Sequence, residues 1–394
     1  MKQKFVLFMM LLCSLASMRT FAADKAEYVP YKVNDQVYLF TQIWHGSDNN
    51  INFGIVIGDD GVLLINSMMA YHADALVAEV EKITDKPIKF VINSDSDPYN
   101  HHSNRYFADR GATIFSQQNF KYVNGYSQVL FSDKLTLPMG METMVAYHTP
   151  AHTLNHVLIH LPKSNVIFLS DAFKPHWVAP TGPNGLKGYL AAVDMALALA
   201  DDKTLILSGN TSKTPANYFS NKAGLLKARK IHIDFTQRIG ELHKKGLDAK
   251  AITEDKKFIE IVSQLENYEV FKGHNESQII TMIDSDFTKP YALTAEQKRG
   301  YVGRYSSQDN GVLEIVLEND KLYTRQVGKF HFELTPLSKT KFDLKANRRS
   351  DHLVFEFDAS GAVVAVSVKM EKKSWYRHVL PTGKRVKESR GQTR

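Results

Sequence analysis

The sequence predicts an α/β protein: a layered domain of strands and helices, then a helical extension, then a small antiparallel β-domain. Three observations predict this order. Short β-rich runs are separated by single helical segments, and a long apolar stripe with helical spacing follows at residues 221–246. From about residue 290 onward, the pattern changes to alternating strands with tight turns. Strands separated by single helices favour helices packed on sheets over an all-β sandwich. The 394 residues, 43% hydrophobic and 23% charged, have ordinary globular composition, which excludes disordered, collagen-like and coiled-coil chains.

Residues 1–22 have the pattern of a secretory signal peptide. Lys2 and Lys4 precede an uncharged apolar stretch that is too short to span a bilayer, and small residues follow it. We therefore expect cleavage after Ala22, export and a periplasmic location, with a retained membrane anchor as the alternative. Lipid modification at Cys13 is disfavoured, because the residue before it is bulky. Since Cys13 is the only cysteine, the processed chain would have no disulfide, no thiolate nucleophile and no cysteine metal ligand.

The charge of the chain excludes one class of partner. The whole chain has a net charge of +7, and removal of the leader, with its three basic residues and no acidic ones, leaves +4. Such a mild excess does not predict nucleic-acid binding. The processed chain also holds no further apolar run of membrane-spanning length, so the expected partner is a small-molecule ligand or substrate.

The first domain is expected over residues 23–290, and it begins with a polar lead-in at 23–36. A turn at residues 59–61 joins two apolar runs as a hairpin, and residues 69–84 have the apolar spacing of one helix face. The other expected strands are Val37–Trp44, Pro87–Ser94, Ala112–Phe115, Met144–Tyr147, His156–Leu161, Val166–Leu169 and Thr204–Leu207. The helical extension is expected at about 221–284. Its helical pattern is strong over the apolar stripe and weaker after it.

A separate antiparallel β-domain is expected over residues 295–380. Thr294 and Gln297 have the spacing of a capping box, which predicts one short helix before the strands. Alternating apolar residues and tight turns then predict six strands between about 312 and 370. Residues 381–394 are polar and basic, and we expect a solvated tail, with weak contact to an anionic envelope surface as the alternative.

Polar side chains that could carry chemistry follow the ends of apolar strands. Strand ends in layered folds are where sites gather, because the scaffold is rigid there and the loops are solvated. The candidates are Asp95, Asp97, Tyr99, Asn100, His101, His102, His148, His152, Asp171 and Asn210. The sequence contains no nucleophile elbow, glycine-rich phosphate loop or dinucleotide fingerprint. We expect His148, His156 and His160 to be structural, and His176 with Trp177 to form either an aromatic roof over the site or an ordinary surface loop.

At these residues the chain resembles the metallo-β-lactamase fold superfamily. Phe53–Ser67, Tyr147–Thr153, Phe168–Phe173 and Leu205–Asn210 resemble, in the family's order, its opening hairpin and the segments that bear its third ligand, its bridging aspartate and its last histidine. The resemblance covers about residues 35–215. It implies a four-layer αβ/βα sandwich with a dinuclear zinc site at one edge. By a looser match, the C-terminal unit resembles small β-barrel domains that are appended to several bacterial hydrolases.

The metal ligands depart from the family's pattern. The positions that the resemblance assigns to ligands hold Asp95, Asp97, Tyr99, Asn100, His152, Asp171 and Asn210, and only His152 and Asp171 keep the family's residue. The aspartate that ends the family's opening hairpin is replaced by Asn66. A shifted register could make His101 and His102 ligands, but it would break the match at residues 104–107, and adjacent side chains point in different directions.

The replacement residues change which metal the site would prefer. Zinc prefers imidazole and thiolate, and a catalytic zinc needs about three protein ligands and an open position for water. Three carboxylates, two amides and one histidine suit calcium, magnesium or manganese better. We therefore expect no metal or one divalent cation and disfavour a zinc pair. The competing structural explanation is that Asp95 and Asp97 accept hydrogen bonds from backbone amides in their loop.

Two functions remain open from the sequence. The favoured one is a pseudoenzyme, an exported protein that keeps a hydrolase scaffold and binds a small molecule without catalysis. The alternative is a metal-dependent hydrolase of an ester, lactone or amide with a remodelled, oxygen-rich or mononuclear site. In that case Tyr99 or His102 is the candidate for holding the leaving group.

Overall fold

We describe the protein from a computed structural model of the whole chain. The structure describes residues 27–43, 49–120, 126–176, 178–179, 181–212, 219–265, 268–307, 311–325, 332–344, 352–369 and 383–386. The predicted signal peptide, Trp177 and the last eight residues of the basic tail lie outside these ranges. No helix among the described residues is long and apolar enough to cross a bilayer.

Two mixed β-sheets form the first domain. In the described chain the first sheet has eight strands: β1 (Glu27–Lys32), β2 (Val37–Ile43), β3 (Asn49–Ile57), β4 (Val62–Ile65), β5 (Ile88–Ile92), β6 (Thr113–Gln117) and β7 (Gln128–Phe131) in sequential order, with β13 (Asn210–Ser212) paired to β3. The second sheet has six: β14 (Phe219–Ser220), β12 (Leu205–Ser208), β11 (Val166–Ser170), β10 (Val157–Leu161), β9 (Glu142–His148) and β8 (Lys134–Met139). The predicted opening hairpin is the antiparallel β3–β4 pair.

Helices cover the outer face of each sheet. The described helices of this domain are α1 (Ala73–Glu81), α2 (Pro98–His101), α3 (Asn104–Ala108) and α4 (Gly185–Leu199), with 3₁₀ turns at Ala70–His72 and Gly182–Asn184. The helical extension contains α5 (Lys222–Lys244), α6 (Ala249–Thr253), α7 (Lys256–Val262), α8 (Tyr268–Phe271) and α9 (Asn275–Met282), with a 3₁₀ turn at Lys272–His274 and a π turn at Ile283–Phe287.

Three apolar cores establish the layer order. Leu63 and Ile65 of β4 point between the sheets and pack with Ala146 of β9, so the sheets face each other. Leu64, on the opposite side of β4, packs in a second core with residues of α1 and α3. In the third core, alternate residues of β11 pack against Tyr189 and other residues of α4 and α5. The order is helices, sheet, sheet, helices, which confirms the predicted four-layer sandwich.

Several elements differ from the sequence predictions. The polar lead-in at residues 23–36 contains the edge strand β1, which pairs antiparallel with β2. The sequence analysis missed α4, because its alanine-rich segment has apolar residues on most sides and no clear stripe. The weaker half of the predicted extension is a set of short helices. Their shared core, which also includes one face of α5, contains Ile231, Phe235, Ile239, Phe258, Val262 and Ile279.

A closed antiparallel barrel forms the C-terminal domain. After α10 (Ala295–Tyr301) its strands are β15 (Gly303–Ser307), β16 (Gly311–Glu318), β17 (Lys321–Arg325), β18 (Glu333–Pro336), β19 (Lys341–Leu344), β20 (His352–Phe357), β21 (Val363–Lys369) and β22 (Gly383–Arg385). The predicted capping box is present: Gln297 N donates to Thr294 Oγ1 at 3.1 Å, and Thr294 N donates to Gln297 Oε1 at 2.8 Å. The apolar interior includes Tyr305 and Phe355, which are almost fully buried.

The end of the barrel domain differs from the predicted boundary at 380. Strand β22 lies in the segment expected to be a solvated tail, and it closes the barrel by pairing with both β15 and β21. Its three residues, a glycine and two cations, carry no apolar alternation, so the sequence pattern could not predict a strand there. Beyond it, Val386 N donates to Arg304 O at 2.7 Å.

Candidate functional site

The candidate residues converge where the ends of strands from both sheets meet. Asp95 follows β5, Asp171 follows β11, and Asn210 begins β13, while His152 lies in the connection between β9 and β10. A backbone hydrogen bond from Val157 N to Ser94 O, 2.7 Å long, joins the two sheets beside them. All of these side chains are buried. Residues that the sequence analysis placed at strand ends therefore lie close together in the structure.

Asp95, His152 and Asp171 form a group that could hold a metal ion. Each side chain offers one ligand atom, these three atoms lie within 4.8 Å of one another, and all three residues are buried. Two carboxylate oxygens and one imidazole nitrogen are acceptable ligands for several divalent cations.

Asp95 is surrounded by hydrogen-bond donors. Its Oδ1 accepts from Asp97 N at 2.8 Å and from Asn100 Nδ2 at 2.7 Å. The bond from Asp97 N is of the kind expected if Asp95 has a structural role in its loop. Burial, followed by the charges of Asp171 and Asp97, raises the pKa of Asp95 to about 7. The raised pKa favours the protonated form of this carboxyl, which reduces the negative charge in the cluster.

Tyr99 joins two other carboxyl groups. Its hydroxyl lies 2.6 Å from Asp97 Oδ2 and 2.9 Å from Asp171 Oδ2. Because a hydroxyl has one hydrogen, only one of these contacts can be a bond donated by Tyr99, and the other is satisfied when the cluster holds an additional proton. His152 Nε2 lies 3.4 Å from the same oxygen of Asp97. Tyr99 is thus an integral member of the cluster as well as a half-buried residue of α2.

Lys174 is a member of the buried cluster that the sequence analysis missed. It is fully buried, and its Nζ donates to Asp171 Oδ1 at 2.6 Å and also to Asn210 Oδ1. An ammonium group donates hydrogen bonds and offers no lone pair to a metal. Asp171 and Asn210 are two of the positions that the family resemblance assigns to metal ligands, and here an internal cation contacts both. A dinuclear zinc site therefore does not fit the residues present.

The two asparagines orient their amides differently from the expected oxygen ligands. Asn100 directs its Nδ2 toward Asp95 and, at 3.3 Å, toward Asp171 Oδ2, so it donates to the cluster and its oxygen lies elsewhere. Asn210 directs its oxygen to Lys174, which leaves its buried Nδ2 without a hydrogen-bond partner among the described residues. Of the two, only Asn210 presents an oxygen to the cluster, and a lysine contacts it.

Supporting residues fix the loops that carry the cluster. Asn66 has a φ of 69°, a conformation that asparagine tolerates, and its Oδ1 accepts from Ser94 N at 2.9 Å, directly before Asp95. Ser170 has a φ of 46° directly before Asp171, which ends β11 in a sharp turn. Asn66, which stands where the resembled family has an aspartate, thus anchors the loop that carries Asp95 in this chain.

Four other histidines of the first domain have different surroundings. His156 Nε2 lies 3.1 Å from Leu169 O and its Nδ1 lies 3.0 Å from Thr149 Oγ1, while burial lowers its pKa to about 4, so the ring is neutral and can donate at one nitrogen and accept at the other. His148 Nε2 contacts Leu154 O at 2.8 Å. His101 packs edge-on against Phe120, and burial lowers its pKa to about 3. His102 is half-buried beside it. His101 and His102 do not belong to the group of three potential ligands described above.

The geometry defines a four-layer α/β protein with a buried Asp-His-Asp group at one edge of its two sheets and a separate closed barrel. Among solved structures, the chain is similar to a metallo-beta-lactamase from Pontibacter korlensis, with 15% sequence identity, a TM-score of 0.44, and coverage of 53% of this chain and 100% of that chain. It is also similar to metallo-beta-lactamase IND-7, with 15% identity, a TM-score of 0.44, and coverage of 52% of this chain and 98% of that chain. No family model and no curated protein matches the chain.

Proposed function

We propose that this protein is an exported, non-hydrolytic protein that binds a small molecule, with an internal ammonium group in its polar centre. The observation that carries the proposal is the pair of contacts from Lys174 Nζ to Asp171 Oδ1 and Asn210 Oδ1. Both contacts are buried, so the charge of Lys174 is held in the centre and is not available to the surface. The pattern of residues 1–22 supports export, with the periplasm as the proposed location.

The chemistry of an ammonium explains why hydrolysis is not the favoured function. A metal activates water by coordinating it and lowering its pKa toward 7, and it keeps an open position for that water. The Lys174 ammonium can neutralise Asp171 but cannot coordinate water in this way. The cluster therefore keeps its polar shape and charge balance without the water-activating group.

The half-buried residues beside α2 are the proposed contact point for the small molecule. Tyr99 of α2 and His102, which directly follows α2, are both half-buried, and they carry a phenol and an imidazole. A phenol and an imidazole that are partly accessible can donate and accept hydrogen bonds to a polar ligand without any catalytic step.

A second function has its own supporting observation. The three donor atoms of Asp95, His152 and Asp171 lie within 4.8 Å of one another, which suits one divalent cation. Asp171 could offer Oδ2 while its Oδ1 stays with Lys174. Such a cation would supply an activated water for an ester, lactone or amide, and the alternative function is a mononuclear hydrolase of that type.

Metal content and turnover of the purified, processed chain separate the two functions. We expect well under one zinc, calcium, magnesium or manganese per chain by elemental analysis, and no hydrolysis of generic esters and lactones above background, with or without added cations. One tightly held ion, together with turnover that Asp171→Ala abolishes and Asp202→Ala does not, would establish the hydrolase. Asp202 is an exposed carboxylate outside the cluster, so it controls for the loss of one acidic residue.

A further inference from the structure

The positive charge of the protein is concentrated in its C-terminal part. Residues 291–394 contain 20 Lys and Arg against 12 Asp and Glu, whereas residues 1–290 contain 29 against 30. Without the predicted leader, residues 23–290 contain 26 Lys and Arg against 30 Asp and Glu, so the first domain is mildly acidic, and the barrel with its tail carries the whole positive excess. A charge asymmetry of this kind indicates that the basic part contacts an anionic partner.

A cavity of about 1100 Å³ lies at the end of the barrel where α10 meets β15. Its lining combines two kinds of side chain. Four basic residues, Arg299, Arg304, Lys384 and Arg385, stand beside the aliphatic residues Val302, Val316, Leu317, Val363, Val364 and Val386. Among the described residues, the lining includes no Asp or Glu and no aromatic side chain. Val364 and Val386 are 38% and 39% exposed, so the aliphatic side of the cavity reaches the surface.

Arg385 is fixed in place by the backbone. Its Nη1 donates to Gly300 O at 3.2 Å and to Val363 O at 3.3 Å, and its Nη2 donates to Val302 O. Gly303 permits this approach, because a Cβ there would lie 2.9 Å from Arg385 Nε. Among the described residues, no carboxylate forms an ion pair with Arg385, and the carbonyl oxygens that it contacts carry only partial charge.

The other cations of the cavity differ in how they are paired. Arg304 lies 3.5 Å from Glu314, which also binds Arg325, so its charge is partly neutralised. Within the described part of the chain, Arg299 and Lys384 make no ion pair, and both are exposed. The cavity therefore presents uncompensated positive charge next to an aliphatic surface.

We propose that this barrel-end cavity binds the headgroup of an anionic phospholipid and thereby attaches the protein to an anionic membrane surface. The cations match a phosphate-bearing headgroup, and the valines match the first part of an acyl chain. The C-terminal tail does not suit the cavity, because residues 387–394 contain three basic residues and one acidic residue and would meet like charge. A nucleic acid fits less well, since its bases stack on aromatic side chains, which the described lining lacks.

Binding of the full processed chain to lipid vesicles tests this proposal. We expect the protein to sediment with phosphatidylcholine vesicles that contain phosphatidylglycerol and not with pure phosphatidylcholine, and to be released by high salt. In the double variant Arg299→Gln with Lys384→Gln, partitioning should weaken about twenty-five-fold, because each basic group at an anionic surface contributes about fivefold. Both residues are exposed, so the variant is expected to fold, which circular dichroism and thermal unfolding would verify.

A matched control removes the same charge elsewhere on the barrel. Lys341→Gln with Lys369→Gln changes two exposed lysines outside the cavity and should leave partitioning within about twofold of the parent, because charges distant from a site are screened by salt. Equal loss in both double variants would show that net charge alone attracts the protein, and would overturn the proposal. So would full loss of binding in a chain shortened to end at Val386, or tighter binding to duplex DNA than to the vesicles.

Discussion

The two ends of the buried polar cluster balance their negative charge by different means. At one end, the carboxylate of Asp171 contacts the Lys174 ammonium at 2.6 Å. At the other end, Asp95 contacts amide and backbone donors, and its pKa is raised to about 7. Both aspartates are fully buried. The difference is that one buried carboxyl is paired with a fixed cation, whereas the other is paired with neutral donors and has a raised pKa, which favours a bound proton.

The largest effect is expected when the fixed cation is removed. Lys174→Met preserves the length of the side chain but leaves Asp171 buried without its ammonium, which should lower the free energy of unfolding by about 3–5 kcal/mol. The same change frees Asp171 Oδ1 and Asn210 Oδ1, so we expect the variant to bind a divalent cation, which we do not expect of the parent, and to recover part of the stability. Isothermal titration with Mn²⁺ and Zn²⁺, and urea unfolding with and without the ion, measure both effects.

Two further variants control this prediction. Lys187→Met removes an exposed lysine of α4 and should change neither stability nor cation binding. In the double variant Lys174→Met with Asp171→Asn, the buried charge disappears together with its partner, so the loss of stability should be clearly smaller than the sum of the two single losses. Strictly additive losses would mean that Lys174 and Asp171 do not depend on each other.

The next effect concerns the proton at Asp95. Its pKa in the folded protein, about 7, lies above the unfolded value near 4, so its contribution to stability is complete below about pH 4 and is lost as the pH rises toward 7. In Asp95→Asn this dependence is removed. As the pH rises from 5 toward 7, the free energy of unfolding of the parent should therefore decline relative to the variant by up to about 1.4 kcal/mol per pH unit. Urea unfolding at a series of pH values, with Asp202→Asn as an exposed control that keeps the parent slope, tests the difference.

The smallest effect is expected for the group that joins the two ends. Tyr99→Phe removes the hydroxyl between Asp97 and Asp171 and keeps the ring, so it should lower the free energy of unfolding by about 1–3 kcal/mol. Chemical unfolding near pH 7 measures the loss. The loss should shrink at low pH, because a buried carboxyl that has lost the hydroxyl costs less free energy when it is protonated than when it is charged. A loss that is constant from pH 4 to 8 would contradict a contact between the Tyr99 hydroxyl and charged carboxylates.

Much of the fold could be predicted because the spacing of apolar residues indicates its strands and the buried faces of its helices. The hairpin of β3 and β4 and the stripe of α5 follow directly from residues of alternating or helical period. Helix α4 and strand β22 could not be predicted in this way: the first is apolar on most sides, and the second has no apolar residue at all. In both cases tertiary packing, and not local pattern, decides the structure.

The sequence indicates where the clustered residues lie, but it does not indicate how their charges are balanced. Asp95, His152 and Asp171 could be assigned because each follows an apolar strand or lies in a loop that resembles a family segment. Lys174 could not, because a lysine between Phe173 and Pro175 is ordinarily solvent-exposed, and only the three-dimensional path of the loop folds its ammonium inward. The orientation of the Asn100 amide likewise depends on neighbours that are distant in the sequence.

Closure of the barrel by β22 sets an order on biosynthesis. The strand that completes the ring is made about eighty residues after its partner β15, and it pairs with that strand and with β21. Almost the whole polypeptide must therefore leave the ribosome or the translocation channel before the barrel can close. Until then, the edges of two strands are unpaired and can pair with other chains. Stop codons a few positions before Gly383 should yield an aggregating product, whereas those after Val386 should not.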